Sequence, residues 1–465
     1  MTLDVVILAA GKGSRMKSEK AKVLHLLGEK PLIAHVVDVA KSLNPQNLAV
    51  VVGHQSEEVT KALPDGISLV NQEKQLGTGH AVSETVKVLD GDEGMLLVMF
   101  GDVPFITSST LNRVLDGASD FSITVLTAEL ADPGNLGRIV RDASGNIKKI
   151  VEAVDATEEE KTIREINSGI MAIRKSDLIR WLPKVKPANK QGELYLTDLV
   201  EIALAESAKV RAIITDKPEE VLGINSQWDL SQAERLLQKR RVKELALRGA
   251  RIADPDRLDI RGDVEIGNDC FIDVNVVLEG SVVLGDDVSI GPGAVVIDSK
   301  LGVGTKIHAH SVVEGAETQA NCTIGPFARV RPGTIVEERA KIGNFVEVKK
   351  AIIEEDAKVN HLSYIGDARV GEGANIGAGT ITCNYDGFLK SFTDIGKGAF
   401  IGSNTALVAP VKVGAGAIVG AGSTVTREVA ADSLVVERST QEESHGWAAK
   451  FRKRKLADKA GREKG

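Results

Sequence analysis

Residues 395–425 read IGKGAFIGSNTALVAPVKVGAGAIVGAGSTV, with Ile395, Ile401, Leu407, Val413, Val419 and Val425 at intervals of six. A period of six matches neither the 3.6-residue turn of a helix nor the two-residue alternation of a strand. It is the beat of a parallel β-helix, in which three short strands make an eighteen-residue coil and every sixth side chain points into a triangular prism. The same beat runs through Ile266, Ile272, Leu278, Leu284, Ile290 and Val296. After one-residue slips it resumes at Leu301, Ile307 and Val313, then at Ile324, Val330, Val336, Ile342 and Val348. Gly often follows the aliphatic residue, as at Gly267, Gly291, Gly343, Gly402 and Gly420. This explains why 28 of the 46 glycines lie beyond residue 250 and why aromatic residues are only 3% of the chain, since a narrow prism has no room for a ring at every rung. The beat fails over 381–394, which predicts a loop thrown out of the prism. Flat prism faces form no pocket alone, so the domain is expected to trimerise with its sites between subunits.

Upstream of this region, short apolar runs at 5–9, 48–52, 95–100 and 121–126 alternate with helical stretches, which predicts a mostly parallel, Rossmann-like α/β sheet covered on both faces. Ligands of such sheets bind beyond the carboxyl ends of the strands, where the loops at 10–16 and 101–104 fall. Ser226 and Asp229 have capping-box spacing, and the Leu-, Glu- and Arg-rich run to Arg248 ends at Gly249. The expected organisation is an α/β domain at 1–225, a linker helix at 226–248 long enough to hold two domains apart, and a β-helix domain with a tail at 249–465. A chain of 465 residues is long enough for several cores.

The formal charge of −7 excludes a protein held to nucleic acid by bulk electrostatics. Cys270, Cys322 and Cys383 lie far apart with no CxxC pair, which excludes zinc-ribbon and disulfide-scaffold readings and fits a reduced compartment. The apolar run at 5–10 follows Asp4 and is too short to span a bilayer, so a cytoplasmic protein without membrane insertion is expected. Residues 450–465 carry eight basic and two acidic side chains and read as a solvated tail.

After the first strand comes Leu8-Ala9-Ala10-Gly11-Lys12-Gly13-Ser14-Arg15-Met16. Its glycines let backbone N–H groups approach phosphates, yet Met16 replaces the third Gly of a dinucleotide fingerprint and Walker A spacing is absent. Arg15 and, seven residues on, Lys22 add two cations suited to a pyrophosphate leaving group. These residues resemble the sugar-nucleotide pyrophosphorylase family, whose first-strand signature is LAAGxGxR with a later Lys. In that resemblance Gln72 and the segment through Gly77, Thr78 and Gly79 read the base, Gly101-Asp102-Val103-Pro104 is the metal-binding turn, and Glu152, Asn167-Ser168-Gly169 and Asn225 contact sugar and metal. It further implies that Phe100 and Gly137 line the substrate groove, that Asp102 and Asn225 hold Mg²⁺, and that a sugar 1-phosphate oxygen attacks the nucleotide α-phosphorus.

In the repeat region, Arg331 and Lys349 stand eighteen residues apart, one coil, and should stack as a paired cationic mark for a phosphate. His361 offers an imidazole, the side chain suited to deprotonating an amine near neutral pH. With the run from Gly377 to Gly387 these residues resemble the bacterial bifunctional acetyltransferase–uridylyltransferase family acting on amino-sugar phosphates, and the match covers nearly the whole chain. The resemblance implies a left-handed β-helix and a homotrimer. His361 would be the base, while Arg331, Lys349, Tyr364, Asn375, Asn384 and Tyr385 hold glucosamine 1-phosphate and Ala378, Ser403, Ala421 and Arg438 line the acetyl-CoA groove. The acetylated product, N-acetylglucosamine 1-phosphate, would then meet UTP in the first domain, giving UDP-N-acetylglucosamine for peptidoglycan and lipopolysaccharide synthesis. The chain departs from the family at Ala21, where Pro is usual, at Ala153-Val154, where a polar pair is usual, and at Phe100, which lacks the hydroxyl of the common Tyr. Two other readings are a pyrophosphorylase with a non-catalytic β-helix and a zinc hydrolase using His308, His310 and His361.

Overall fold

The computed structural model describes residues 2–89 and 91–462. Contacts divide the chain into two compact units, 1–237 and 238–465. The division falls within the helix Gln227–Leu247. Ser226 and Asp229 close the capping box: Asp229 N donates to Ser226 Oγ at 3.1 Å and Ser226 N to Asp229 Oδ2 at 2.9 Å. Ala233 packs in a cluster of the first unit, whereas Val242 and Leu245 belong to the β-helix core, so the two ends of this helix serve different cores.

The first unit is built on strands β1 (Leu3–Leu8), β2 (Asn47–Val52), β3 (Ser68–Asn71), β4 (Met95–Phe100), β5 (Ile123–Glu129), β6 (Glu165–Arg174) and β7 (Val210–Ile214). They lie in the order β7-β5-β6-β4-β1-β2-β3, with β6 antiparallel to β4 and β5 and the other pairings parallel. Alternate side chains enter two cores: Val5, Ile7, Val50 and Leu97 face one layer, and Val6, Val51, Leu96 and Val98 the other. A sheet buried on both faces needs such continuous apolar strands. From β1 the chain moves to β2 and β3 on one side and returns to β4 on the other, so the loops after β1 and β4 diverge and leave a crevice between them.

In the second unit the sixfold residues fill one core. All those named above are buried except Ile266, which is partly buried against it. The coils stack as parallel strands, with Ile272 over Ile290, Ile290 over Ile307 and Ile307 over Ile324. Two of the three faces fuse into one sheet because strands such as Val276–Leu284 turn a corner without breaking. That corner is at Gly280, whose φ of 69° is left-handed and whose missing Cβ would meet Asp298 Oδ1 at 2.0 Å.

The excursion from the prism is narrower than the repeat pattern predicts. Ile381–Cys383 stays in the stack, paired with Ala406–Val408, and only 384–392 leaves it. Thr382 occupies the inward rung, and its hydroxyl accepts from Gly366 N at 2.8 Å. A search for aliphatic residues passes over a buried Thr whose polarity is satisfied in this way. The basic C-terminal stretch forms the helix Trp447–Arg462, whose side chains are all exposed.

Candidate functional site

The crevice of the first unit has two lobes that share Lys22, Thr78, Phe100 and Asp102. One lobe is lined by Leu8, Ala9, Ala10, Gly11, Gln72 and Gly77, and the other by Arg15, Gly137, Glu152, Asn167 and Asn225. The fold thus gathers residues spread over 218 positions of sequence at one switch point. Gly101 differs: it lies buried beneath the crevice, where a Cβ would come 2.7 Å from Ile33 Cδ1. Its N–H donates to Leu8 O at 3.0 Å, tying the two loops together.

Where the lobes meet, Lys22 Nζ bonds Asp102 Oδ2 and donates to Asn225 Oδ1 at 3.0 Å, while Arg15 Nη2 donates to the same Oδ1 at 2.8 Å. Asn225 is oriented from behind, because its Nδ2 donates to Gly223 O at 3.1 Å and its backbone N to Asp229 Oδ2 at 3.0 Å. The helix cap therefore aims Oδ1 at the cations. A Cβ on Gly223 would lie 3.3 Å from Asp102 Oδ2 and 3.5 Å from Asn225 Nδ2, so the glycine keeps a cradle open beside the Asp102 carboxylate and the Asn225 amide, whose oxygens are hard donors. The donor set fits Mg²⁺, which takes one or two protein oxygens beside substrate phosphates and keeps several waters.

In the second lobe Glu152 accepts from Thr197 Oγ1 at 3.3 Å. Burial, then the nearby charges of Asp155, Asp198 and Glu193, hold its carboxyl above the usual range. Asn167 Oδ1 accepts from Gly169 N at 3.0 Å, and a Cβ on Gly169 would meet the Phe100 ring at 2.5 Å, so the ring lies flush over that glycine. Thr197, Glu193 and Gly223 were not singled out by the sequence motifs. They sit in connections rather than after strands, and only the fold brings them to the groove.

On the β-helix, Val330 lies over Val348, which stacks the neighbouring Arg331 and Lys349 one coil apart. Arg331 Nη1 also pairs with Glu347 Oε1 at 2.9 Å. Lys349 has its ammonium pKa lowered, first by contact with Lys390, then by desolvation and by Arg331, against the opposing charge of Asp367, so three cations share one patch. Lys349 stacks on Gly366, where a Cβ would lie 2.4 Å from Tyr364 Oη and 2.9 Å from Asn384 Nδ2. The bare glycine lets Tyr364, Asn384 and Lys349 converge. Asn384 Nδ2 in turn bonds Asp367 Oδ2. Tyr385 stands on the projecting loop with its hydroxyl on Gly387 O at 2.6 Å, and Asn375 opens the strand in the coil after Lys358–His361.

His361 is exposed, and its Nδ1 lies 2.8 Å from Asn344 Oδ1 on the coil before. An amide oxygen only accepts, so Nδ1 carries the proton and Nε2 presents the lone pair. From His361 the same corner of the prism continues through Ala378, Ser403 and Ala421, linked by Asn404 N to Ala378 O and Gly422 N to Ser403 O, each 2.8 Å. Arg438 Nη1 closes the column on Ala421 O at 2.9 Å. Asn344, Gly366 and Lys390 were missed in the sequence. His310 stacks on Phe327 with centroids 5.1 Å apart, and among the described residues no three His, Cys, Asp or Glu side chains gather as a metal site.

An α/β phosphate crevice joined to a hexapeptide prism that carries a basic patch and an oriented imidazole defines a two-function transferase, one unit for nucleotidyl transfer and one for acyl transfer. The family description "MobA-like NTP transferase domain" matches residues 5–166, and "Bacterial transferase hexapeptide (six repeats)" matches 263–298 and 392–427. The "Bifunctional protein GlmU" of Cellvibrio japonicus is 49% identical over 97% of this chain and 100% of its own length. Those of Marinobacter nauticus and Xylella fastidiosa (strain M12) are 47% and 48% identical over 96% of this chain and 98% of theirs. The chain belongs to the bifunctional GlmU family, and it is a nucleotidyltransferase and acetyltransferase in one polypeptide.

Proposed function

We propose that this chain acetylates glucosamine 1-phosphate with acetyl-CoA on its β-helix and then transfers UMP from UTP to N-acetylglucosamine 1-phosphate in its α/β unit, releasing pyrophosphate. The observation that carries the reading is the pairing of an oriented base with a cluster of cations: Nε2 of His361 is freed by Asn344, and Arg331 and Lys349 stack one coil apart with Lys390 against Lys349. A dianionic phosphate offsets their like charge and anchors the sugar by charge-assisted bonds. The amine then attacks the thioester carbonyl, its proton passes to His361 Nε2, the C–N bond forms and CoA leaves as the thiolate. Ala378, Ser403, Ala421 and Arg438 line the corner along which the acetyl donor lies.

In the first unit the sugar phosphate oxygen attacks the α-phosphorus in line and the bond to the β-phosphate oxygen breaks. Arg15 and Lys22 face the pyrophosphate as its charge grows, which is where fixed cations lower the barrier. Asp102 and Asn225 would hold Mg²⁺, which when bound supplies charge neutralisation on the phosphates. Phe100 presents an apolar ring to the sugar, and the protonation-prone Glu152 with Asn167 and Gly137 lines the sugar lobe.

The projecting loop leaves Phe388 91%, Leu389 71% and Phe392 51% exposed beside the basic patch. Apolar rings held in water in this way call for a partner, which supports a homotrimer through the β-helix. Among the described residues no helix is long and apolar enough to cross a membrane. The test supplies acetyl-CoA, glucosamine 1-phosphate, UTP and Mg²⁺ and follows thiol and pyrophosphate release. His361→Ala is expected to stop thiol release while uridylyl transfer from supplied N-acetylglucosamine 1-phosphate persists. Wild-type protein that releases neither product refutes the reading.

A further inference from the structure

Gln72, in the first lobe, has the hydrogen-bonding of its amide committed on one side. It follows β3, its backbone N on Val52 O at 2.8 Å, and its side chain is buried. Its Nε2 lies 3.1 Å from Gly77 O and 3.1 Å from His80 Nδ1. A backbone carbonyl only accepts, so the contact with Gly77 determines which end of the amide is the donor. The second Nε2 hydrogen then meets His80 Nδ1, which must be the unprotonated ring nitrogen. The imidazole proton sits on Nε2, 3.4 Å from Glu84 Oε1. Gly77 caps the helix Thr78–Val86, and His80 and Glu84 stand one turn apart on it, so a rigid element holds the whole chain of bonds. Among the described residues nothing donates to Gln72 Oε1.

We propose that His80 is a positioning residue that sets nucleobase choice. By engaging the second Nε2 hydrogen it leaves Gln72 only its Oε1 acceptor to offer the crevice. A pyrimidine meeting Oε1 at ring position 3 must bring an N–H there. Uracil does, whereas cytosine brings a lone pair that repels the oxygen. Without an acceptor at position 80, the Gly77 carbonyl alone holds the amide, and its second Nε2 hydrogen is freed to reach into the crevice and meet a lone pair there. The inference rests on the reading of this lobe as the seat of the UTP base.

The test uses the full chain and compares His80→Leu with His80→Asn, two side chains of similar size of which only Asn can place an oxygen near the Nδ1 position. Uridylyl transfer is measured with UTP, 5-methyl-UTP and CTP. In His80→Leu the UTP-to-CTP ratio of kcat/KM is expected to fall about 10- to 100-fold, the scale of one buried hydrogen bond. The change should lie mainly in KM, with kcat at saturating UTP close to wild type. 5-Methyl-UTP, which keeps the N–H, should track UTP, and His80→Asn should retain most of the ratio. An unchanged ratio in His80→Leu, or equal losses in both variants, overturns the role of His80. Failure of the wild type to use UTP overturns the reading of the lobe itself.

Discussion

Gly402→Ala places a methyl group between two coils of the β-helix. The added Cβ would fall 2.4 Å from Ala421 N, 2.6 Å from Val419 O and 2.7 Å from Ala421 Cα, all backbone atoms of the next coil. Ordinary contact needs about 3.4 Å, so the coils must part locally by about 1 Å. Two bonds cross that gap, Gly402 N to Val419 O and Gly422 N to Ser403 O, both 2.8 Å. Stretched by about 1 Å they exceed hydrogen-bond distance. Losing two net bonds of about 1 kcal/mol each, with partial exposure of their groups, sums to about 2–4 kcal/mol. For a unit of this size that is a fall of about 5–15 °C in the melting transition of the β-helix. The same shift displaces Ser403 and Ala421, so the KM for acetyl-CoA should rise while uridylyl transfer is unaffected. Gly420→Ala is the control, since its Cβ meets only the exposed Val436 side chain closely, at 2.8 Å, and should cost under about 1 kcal/mol. Thermal melts followed by circular dichroism, with both activities assayed, decide the matter. A Gly402→Ala protein melting within 2 °C of wild type, on the order of 0.5–1 kcal/mol, with an unchanged acetyl-CoA KM would refute the steric reasoning, as would equal losses from both variants.

Asn344→Leu removes the acceptor that fixes the His361 tautomer and should lower kcat for acetyl transfer about 10-fold with little change in KM for glucosamine 1-phosphate; a loss confined to KM would count against that role. Lys22→Met should reduce uridylyl transfer by about 10²–10³-fold and leave thiol release intact, read by assaying the two half-reactions separately. Asp198, pushed up to about 6 first by burial and then by Glu201 and Asp155, is favourable in its protonated form, so its contribution to stability is full below the unfolded value and is lost as pH rises through 6. Asp198→Asn should therefore melt higher than wild type at pH 8 and equal it below pH 4; a gain independent of pH would rule out ionisation as the cause. Burial raises the thiol pKa of Cys270 and takes that of Cys322 to about 11, so brief alkylation of the native protein at pH 8, mapped by mass spectrometry, should label Cys383 well ahead of either.

The architecture was legible in the chain because it rests on local repetition. A sixfold aliphatic beat has one economical burial, a prism, and apolar strands followed by a Gly-rich loop place phosphate chemistry at a sheet end. Arg15, Lys22, Arg331 and Lys349 could be named from their spacing along the sequence, and Asp102, Asn225 and His361 from the family resemblance. What lay outside the motifs became visible only in three dimensions. Thr382 holds an inward rung because Gly366 N satisfies its hydroxyl, and Gln72 has its polarity set by a carbonyl and a ring on the following helix.

Which side chain supports His361 shows the division most clearly. Coil spacing in this prism is 18 residues where Val330 meets Val348, 17 where Asn344 meets His361, and 25 where Asn375 meets Phe400 across the loop. The sequence by itself determined that a coil would pass beneath the imidazole. Only the tertiary register decided that the residue there is Asn344 rather than Gly343, because this coil is one residue short of eighteen, and keeping Ile342 over Val359 on the inward rung carries an amide acceptor, not a bare glycine, beneath His361.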